Sequence, residues 1–451
     1  MKPQLLIGAL NSGSGKTTFT MGLLRSLQRQ GLQVQPFKCG PDYIDTKFHS
    51  IATGNESVNL DTWLASKEHV AQIYRLYGKE ADACVIEGVM GLFDGYDRMM
   101  GSSAEIAVLL DVPVVLVVNA RSTAYTVAAQ IYGVKNFCPK LRLAGVVFNN
   151  VASESHFSLL KDACADAGAE CFGYMPKSEG LEIPARHLGL TLAAEEMMNG
   201  QIERSADIVS RHVDIERILH CCNAPFAGTD CVADNGVSNR GITIAVAKDA
   251  AFNFIYRENI AMLGRIGNVV FFSPLNGDSL PHADLVYLPG GYPELFAEQL
   301  QYMHSLMSEL ASYIEGGGKV LAECGGMIFL SKGIIDNDGM NRYRFCGILP
   351  FWCSMQNAHL HLGYRRVVDV NGRHWRGHEF HYSDIADTDD SPVAHAAVAV
   401  TPASVVPEVV AKQYNRNGVE VETSLFRYKN LFAGYTHLYW GETDILKLWD
   451  L

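Results

Sequence analysis

A glycine-rich segment near the N-terminus has the residue types that bind nucleotide phosphates. The apolar run 5–9 is followed by Leu-Asn-Ser-Gly-Ser-Gly-Lys-Thr-Thr at 10–18, and then by a helical pattern. Glycines let successive N–H groups surround phosphate oxygens at the start of a helix. Lys16 would reach the β- and γ-phosphates, and the Thr17 hydroxyl would bind Mg²⁺. Leu10 replaces the first glycine of the strict motif, so a plain glycine turn is the alternative.

Four acidic residues follow predicted strands of the same region. Asp42 and Asp45 come after the second strand, Glu87 ends the strand at 83–86, and Asp94 follows shortly after. In an open parallel sheet, ligands bind at the carboxyl ends of the strands. We therefore expect these carboxylates beside the phosphate loop, where a metal-dependent phosphoryl transfer would use them. For any one of them, the alternative is a helix cap or a solvated loop residue.

One cysteine stands in a pattern that is typical of a nucleophile. The predicted strand 319–322 leads through Glu323 to Cys324, two glycines and a helical run at 327–330. This resembles a nucleophile elbow in which Ala322 replaces the first glycine. We expect the turn to expose the sulfur at the helix N-terminus, where the dipole stabilises a thiolate. The alternative is a packed core thiol.

A nucleophilic cysteine needs a base and an oxyanion hole. His437 follows the β-like run 431–434 and is the candidate base, although the region is rich in histidines. The others are His359, His361, His374, His378 and His381. Gly290 and Gly291 follow the run 285–288, and their N–H groups could form the oxyanion hole. An ordinary strand-to-helix loop is the alternative for these glycines.

The elements that must position these residues indicate two α/β domains. In the first half, apolar runs alternate with helical segments of 10–15 residues, which predicts a doubly wound parallel sheet. Turn and breaker residues fill 223–240. A second α/β pattern starts at 242, and the chain becomes mostly β after about residue 340. We expect domains at 1–222 and 241–451, with 223–240 as a linker.

Composition excludes several other classes of protein. The 451 residues carry a net charge of −12, so binding of nucleic acid through general electrostatics is not expected. Apolar runs are shorter than the roughly 18 residues of a membrane helix, and the N-terminus does not resemble a signal peptide. Eleven cysteines without a CxxC pair favour a reduced, cytoplasmic protein. Lys16 and Lys38 would have to offset the negative field near anionic substrates.

Taken together, these motifs resemble the cobyrinic acid a,c-diamide synthase family over nearly the whole chain. This resemblance implies a P-loop domain similar to dethiobiotin synthetase and a class I glutamine amidotransferase domain. The matching stretches are Gly-Ser-Gly-Lys-Thr-Thr (13–18), Phe-Lys-Cys-Gly-Pro-Asp-Tyr-Ile-Asp (37–45), Asn-Leu-Asp (59–61), Ile-Glu-Gly-Val-Met-Gly-Leu-Phe-Asp-Gly (86–95), Arg-His-Leu-Gly-Leu (186–190), Asp-Ala-Ala-Phe-Asn-Phe (249–254), Leu-Pro-Gly-Gly-Tyr-Pro-Glu (288–294), Ala-Glu-Cys-Gly-Gly (322–326) and Tyr-Thr-His-Leu (435–438).

The resemblance also implies roles for individual residues in the ATP- and glutamine-dependent amidation of cobyrinic acid. Cys324 would form a glutamyl thioester with the help of His437. The residues implied to bind ATP are Gly13, Ser14, Gly15, Lys16, Thr17, Thr18 and, at the adenine, Asn149. Those implied to bind Mg²⁺ are Thr17, Asp42 and Glu87. The remaining roles are the substrate carboxylate and its acyl phosphate for Asp45 and Asp94, and the tetrapyrrole for Tyr43 and Ile44.

Three positions depart from related patterns, and several readings stay open. Ala9 stands at a glycine position, Asn119 replaces an Asp, and Tyr439 stands where triad enzymes have Glu, so we expect a Cys–His dyad without a third member. The same chemistry on hydrogenobyrinic acid or a nickel sirohydrochlorin is an alternative substrate assignment. A regulatory, partner-binding P-loop ATPase and a glutaminase with a degenerate synthetase domain are alternatives of other classes. Homodimerisation is also left open.

Overall fold

A computed structural model describes residues 1–177, 192–226, 238–386 and 407–449, which fall into two compact units. The first unit contains the described residues up to 226, and the second contains those from 238 onwards. The predicted linker 223–240 includes residues 227–237, which lie outside the described ones, so the domain limits stay a prediction. The stretch 186–190 also lies outside the described residues.

The first unit is built on a parallel sheet. Its order is β3-β2-β4-β1-β5-β6-β7, and the short β8 pairs antiparallel with β1. The strands are β1 (Lys2–Ala9), β2 (Val34–Cys39), β3 (Val58–Leu60), β4 (Ala83–Glu87), β5 (Val114–Asn119), β6 (Leu143–Val151), β7 (Cys171–Pro176) and β8 (Asn223–Ala224). The helices are α1 (Lys16–Arg29), α2 (Asp45–Thr53), α3 (Lys67–Gly78), α4 (Ser103–Leu110), α5 (Val127–Phe137), α6 (Glu154–Asp166), α7 (Leu192–His212) and α8 (Ile215–Cys221).

The second unit contains a ten-stranded and a four-stranded sheet. In the larger one, β10-β9-β11-β12-β21 are parallel, and β20-β19-β16-β17-β22 continue it antiparallel. The smaller sheet has the order β14-β13-β15-β18.

The strands of the second unit are β9 (Ile242–Ala247), β10 (Gly267–Phe272), β11 (Leu285–Leu288), β12 (Lys319–Glu323), β13 (Gly333–Ile335), β14 (Arg342–Arg344), β15 (Trp352–Ser354), β16 (His361–Asp369), β17 (His374–His381), β18 (Asp384–Ala386), β19 (Glu408–Tyr414), β20 (Glu420–Tyr428), β21 (Leu431–Gly434) and β22 (His437–Tyr439). The helices are α9 (Arg257–Ile266), α10 (Ala297–Leu300), α11 (His304–Glu315) and α12 (Gly325–Leu330), with 3₁₀ turns at Pro293–Phe296 and Ile445–Leu448.

The four central parallel strands of the second unit, β9, β11, β12 and β21, are buried, whereas the edge strand β10 is partly exposed. Along β9, Ala245 and Ala247 belong to one hydrophobic cluster, whereas Ile244 and Val246 belong to another. Successive side chains of a strand point to opposite faces, so a near-continuous apolar run fits a sheet that is covered on both sides. The predicted α/β fold class is confirmed for both halves. Among the described residues, no helix is long and apolar enough to span a membrane.

Gly22 allows α1 and α7 to approach closely. A Cβ at Gly22 would lie 2.7 Å from the Ser205 carbonyl oxygen, which belongs to the α7 backbone. We expect Gly22→Ala to destabilise the first unit by about 1–3 kcal/mol. Gly133, in α5, has no atom within 4 Å of its Cβ position. Gly133→Ala should therefore stabilise the same unit by about 0.5–1 kcal/mol. Calorimetric melting temperatures of the two variants test this, and shifts of the same sign would contradict it.

Candidate active sites

The phosphate loop connects β1 to α1 in a conformation that depends on glycine. Gly13 and Gly15 have φ angles of 76° and 96°. A Cβ at Gly15 would lie only 2.0 Å from Nδ2 of Asn149. That Nδ2 donates to the Ser14 carbonyl oxygen at 2.9 Å, so Asn149 holds the loop backbone. A contact of Asn149 with adenine stays a prediction.

The side chains of the loop are ordered by neighbouring carbonyl groups. Lys16 Nζ donates to the Met90 carbonyl at 2.6 Å and to the Asn11 carbonyl at 3.3 Å. Burial lowers the pKa of Lys16, and the nearby Lys38 ammonium lowers it further. Ser14 Oγ hydrogen-bonds Asn11 at 2.7 Å, and Thr18 is half-buried in the first turn of α1. A phosphate group would thus meet a lysine that is already in place.

Glu87, at the end of β4, is fully buried and connects the loop to the neighbouring strand. Its Oε1 accepts from Thr17 Oγ1 at 2.6 Å and from Lys38 Nζ at 2.9 Å, and its Oε2 lies 2.6 Å from His49 Nε2. Burial alone would raise the pKa of Glu87, but Lys38 and His49 lower it. Asp45 and Glu87 likewise outweigh the effect of burial and raise the pKa of Lys38. The carboxylate and the ammonium therefore stay charged inside the protein.

Two of these partners were not assigned to the site from the sequence. From the sequence, Lys38 is expected only to offset negative charge near anionic substrates, and no motif assigns a role to His49. The pairing of β2 with β4 sets Lys38 beside Glu87, and His49 comes from the middle of α2, which follows β2 in the chain. A histidine in a nine-residue helical segment has no sequence pattern that would point to this role.

Asp42 and Asp45, which follow β2, lie close to the Lys38 ammonium that pairs with Glu87. Asp45 Oδ2 accepts from Lys38 Nζ at 2.6 Å, and burial together with Asp42 raises the pKa of Asp45. One oxygen of Asp42 accepts from the backbone N–H groups of Ile44 and Asp45 at 2.8 and 2.9 Å, and thereby orders the turn that leads into α2. Tyr43 is buried and Ile44 half-buried. Metal binding by Asp42 and tetrapyrrole contact by Tyr43 and Ile44 stay predictions.

Two further positions are held by local backbone contacts. Asp94 Oδ2 accepts from the Gly91 N–H at 3.0 Å, in the segment after β4, so this predicted catalytic residue also orders its own turn. Asn119 Oδ1 accepts from the Arg121 N–H and from Asn150 Nδ2, both at 3.1 Å. The Asn that departs from the family pattern therefore stabilises the turn after β5.

Cys324 occupies a strained turn between β12 and α12, as the elbow pattern predicts. Its φ of 47° and ψ of −104° lie outside the conformations that a non-glycine residue ordinarily adopts. The expectation of an exposed sulfur is wrong: Cys324 is 2% exposed, because the surrounding strands cover the turn. Burial raises the pKa of the Cys324 thiol, and Glu294 raises it further. The resting residue is thus a thiol.

His437 begins β22 and meets the same backbone group as Cys324. Sγ of Cys324 donates to the Phe380 carbonyl oxygen at 3.8 Å, and the Phe380 backbone also hydrogen-bonds the His437 ring. Burial lowers the pKa of His437 to about 3, so the imidazole is neutral near pH 7. A neutral imidazole close to a thiol can act as a general base.

The predicted oxyanion-hole glycines lie next to this pair. A Cβ at Gly290 would come within 2.0 Å of His437 Cε1, and a Cβ at Gly291 within 1.9 Å of the Ala251 carbonyl. The Gly291 nitrogen lies 3.0 Å from the Cβ position of Gly325, the residue after the nucleophile. The Gly290 carbonyl accepts from Phe254 N–H at 3.0 Å, which fixes this peptide. The oxyanion role of both glycines stays a prediction.

Two buried glutamates that the sequence motifs do not assign to the site lie near Cys324, whose pKa both raise. Glu323 Oε1 accepts from Leu438 N–H at 2.9 Å, and its Oε2 accepts from the Tyr287 hydroxyl at 2.7 Å. Glu379 pairs with Arg365. Burial alone would raise the pKa of Glu379, but His381 and Arg365 lower it to about 2. Glu323 stands directly before Cys324 in its matched motif, and this was the one signal that could have drawn attention to it.

Glu323 should make the second unit less stable as the pH rises. Burial raises its pKa to about 8. Between the unfolded value of about 4.5 and this value, the folded state binds more protons than the unfolded state, so stability falls as the pH rises through about 8. Glu323→Gln mimics the protonated acid and should flatten this loss between about pH 6 and about pH 9. Urea unfolding at both pH values tests this, with the exposed Glu298→Gln as control. A slope equal to that of the parent chain would contradict it.

Comparison with known proteins identifies both halves of the chain. Residues 5–190 match the CobQ/CobB/MinD/ParA nucleotide binding domain, and residues 243–445 match the CobB/CobQ-like glutamine amidotransferase domain. These two matches contain the phosphate loop and the Cys324 turn, respectively. The fold class and the family resemblance predicted from the sequence are confirmed.

Relatives match along nearly the full length. A cobyrinate a,c-diamide synthase from Picrophilus torridus is 38% identical over 450 residues, which cover 96% of this chain and 95% of the relative. A protein of the same name from Salmonella typhimurium is 35% identical over 98% of this chain and 96% of its own. A hydrogenobyrinate a,c-diamide synthase from Rhizobium meliloti is 36% identical over 96% and 98%, respectively. This chain therefore belongs to the a,c-diamide synthase family and is a glutamine-dependent amidating ligase with a nucleotide-binding domain.

Proposed function

We propose that this enzyme amidates the a- and c-acetate carboxylates of cobyrinic acid in cobalamin biosynthesis, with ATP and glutamine as co-substrates. Two observations in one chain support the proposal. Lys16 and the Thr17–Glu87 pair lie at the glycine loop after β1, and the strained, buried Cys324 shares the Phe380 backbone with His437. A carboxylate must be activated before ammonia can displace one of its oxygens. The first site supplies the activation and the second the ammonia.

In the first unit, a carboxylate oxygen of the substrate attacks the γ-phosphorus of ATP, ADP leaves, and an acyl phosphate forms. Lys16 exchanges the Met90 carbonyl for phosphate oxygens and offsets their charge. Asp45 and Asp94 orient the substrate carboxylate, while Tyr43 and Ile44 contact the ring. Ammonia then attacks the acyl carbon, phosphate leaves with the bonding electron pair, and the nitrogen loses one proton to solvent to give the amide.

The residues near the phosphate loop suit Mg²⁺. Thr17 Oγ1 and Glu87 Oε1 lie 2.6 Å apart, and a hydroxyl with carboxylates is the oxygen donor set that this ion prefers. Thr17, Glu87 and Asp42 are the residues that would hold it. When bound with ATP, Mg²⁺ neutralises charge on the phosphate oxygens. Lys38 already offsets the charges of Glu87 and Asp45.

In the second unit, His437 takes the Cys324 proton as the sulfur attacks the side-chain carbonyl carbon of glutamine. The carbonyl electron pair moves to oxygen, which faces the N–H groups of Gly290 and Gly291. When the pair returns, the C–N bond breaks, and ammonia leaves with the proton from His437. Water then attacks the thioester, His437 passes the water's proton to the sulfur, and glutamate is released. We further propose that the enzyme acts on these small molecules in the cytoplasm.

Hydrogenobyrinic acid is the second candidate substrate, because a relative of that name is 36% identical to this chain. The cobyrinate-named relative is 38% identical, a difference too small to separate the two. Mass spectrometry of cobyrinic and hydrogenobyrinic acids incubated with ATP, Mg²⁺ and glutamine tests the assignment. Two successive amide substitutions on cobyrinic acid are expected. Substitution of hydrogenobyrinic acid alone would assign the second candidate, and no product from either ring would refute both.

Cys324→Ser should abolish glutamine-dependent amidation and leave ammonia-dependent amidation intact, because only the thioester step needs the sulfur. A loss of about 10³-fold or more with glutamine is expected. Cys221→Ser is the matched control, since Cys221 is exposed. Product formation is measured with glutamine and with an ammonium salt. Loss of both activities would refute the division of labour between the two units.

Lys16→Ala should abolish amidation with either nitrogen source, because no acyl phosphate can form. The expected loss is about 10²-fold or more. Lys140 is exposed, and Lys140→Ala provides the control. Basal glutamine hydrolysis, measured separately, shows whether the second unit stays folded. Ammonia-dependent turnover at the parental rate would contradict the role of Lys16.

A further inference from the structure

Three potential metal ligands meet in the second unit, apart from the residues of the proposed mechanism. One ligand atom each from His359, His361 and Asp384 lies within 4.8 Å of the others. His361 Nε2 donates to Asp384 Oδ1 at 2.8 Å, and His359 Nδ1 lies 3.8 Å from Asp384 Oδ2. The centres of the two imidazole rings are 4.0 Å apart. A single carboxylate therefore faces both histidines, one with each oxygen.

The three residues come from separate parts of the chain. His361 begins β16 of the ten-stranded sheet, whereas Asp384 begins β18 of the four-stranded sheet, opposite Ser354. His359 lies in the loop before β16. A group that binds all three would join the two sheets at this point.

The donor set selects one class of ion. Two imidazole nitrogens and one carboxylate oxygen suit Zn²⁺ and similar divalent transition metals, whereas Mg²⁺ prefers oxygen donors alone. His359 is exposed and the other two residues are half-buried, so an ion can enter from solvent and keep water in its remaining positions.

We propose that His359, His361 and Asp384 form a binding site for a divalent transition metal of the zinc class. Binding replaces the hydrogen bond between His361 Nε2 and Asp384 with bonds from both atoms to the metal. The Nε2 proton leaves to water and Nδ1 takes one up from water, so the ring that binds the metal stays neutral. The metal fixes the start of β16 to the start of β18. It is separate from the Mg²⁺ that the proposed synthetase reaction uses.

The site is connected to the neighbourhood of Cys324 by stacked rings. The His361 ring stacks on His381 with 4.5 Å between centroids and 12° between planes, and His381 stacks on Tyr435 at 3.7 Å and 10°. His381 directly follows Phe380, whose carbonyl accepts from the Cys324 thiol. A metal at this position therefore stabilises the end of β17 on which the proposed nucleophile depends.

Titration of the metal-free full-length protein with Co²⁺ tests the proposal. The visible absorption of Co²⁺ reports its ligands, and a thiolate ligand adds a charge-transfer band that histidine and carboxylate ligands lack. One Co²⁺ should bind without that band, be displaced by Zn²⁺, and persist in excess Mg²⁺. His361→Asn and Asp384→Asn should each weaken Co²⁺ binding by about tenfold or more.

Two further variants keep the test decisive. His359→Asn should weaken binding similarly, and it is expected to fold because 62% of the His359 side chain is exposed. His374→Asn, at an exposed histidine in β17, should bind Co²⁺ as the parent chain does. Affinities of the His359, His361 and Asp384 variants within about twofold of the parent, or a thiolate band in the bound spectrum, would overturn the site.

Discussion

A buried acidic side chain at the end of a strand is the constraint on which both candidate sites depend. In the first unit this group is Glu87, which binds Thr17, Lys38 and His49 at distances between 2.6 and 2.9 Å. A buried charge is costly unless opposite charges and hydrogen bonds compensate it. Glu87 therefore requires each partner to stay in place, and this requirement fixes the start of α1 relative to β2 and α2. The geometry of the phosphate site follows from charge compensation as well as from the glycines of the loop.

In the second unit, the corresponding group is Glu323, and its electrostatics are different. It accepts hydrogen bonds from Leu438 and Tyr287 but has no cation among the described partners, and burial raises its pKa to about 8. The neutral side chain of Glu323, which directly precedes Cys324, is thus hydrogen-bonded to Leu438, which directly follows His437. Burial also favours the neutral forms of Cys324 and His437, because it raises the pKa of the thiol and lowers the pKa of the imidazole. Glutamine would then meet an uncharged dyad, in which the sulfur is activated only as its proton moves to His437.

The expectation of an exposed, dipole-stabilised thiolate illustrates a limit of motif reasoning. The pattern around Cys324 predicts the turn, and the positive φ confirms that the turn is strained. Exposure, however, depends on what packs over the turn. The residues that do so lie on β17 and β22 and in the loop after β11, which are distant in sequence. Helix α12 is also only six residues long, so the contribution of its dipole is small beside the effect of burial.

The sequence by itself determined the fold class of both halves, the phosphate loop, the nucleophile turn and the family. These depend on local features: apolar runs, glycine positions and short ordered motifs. The tertiary structure alone decided that Lys38 and His49 compensate Glu87, that Glu323 bridges Tyr287 and Leu438, and that His359, His361 and Asp384 meet. Each of these contacts joins residues whose proximity is set by strand pairing or sheet packing. Strand order and register are not encoded in any one segment, because they depend on which strands bury their surfaces together. The pKa values of Cys324 and His437 were beyond sequence reasoning for the same reason, since burial is a property of the assembled fold.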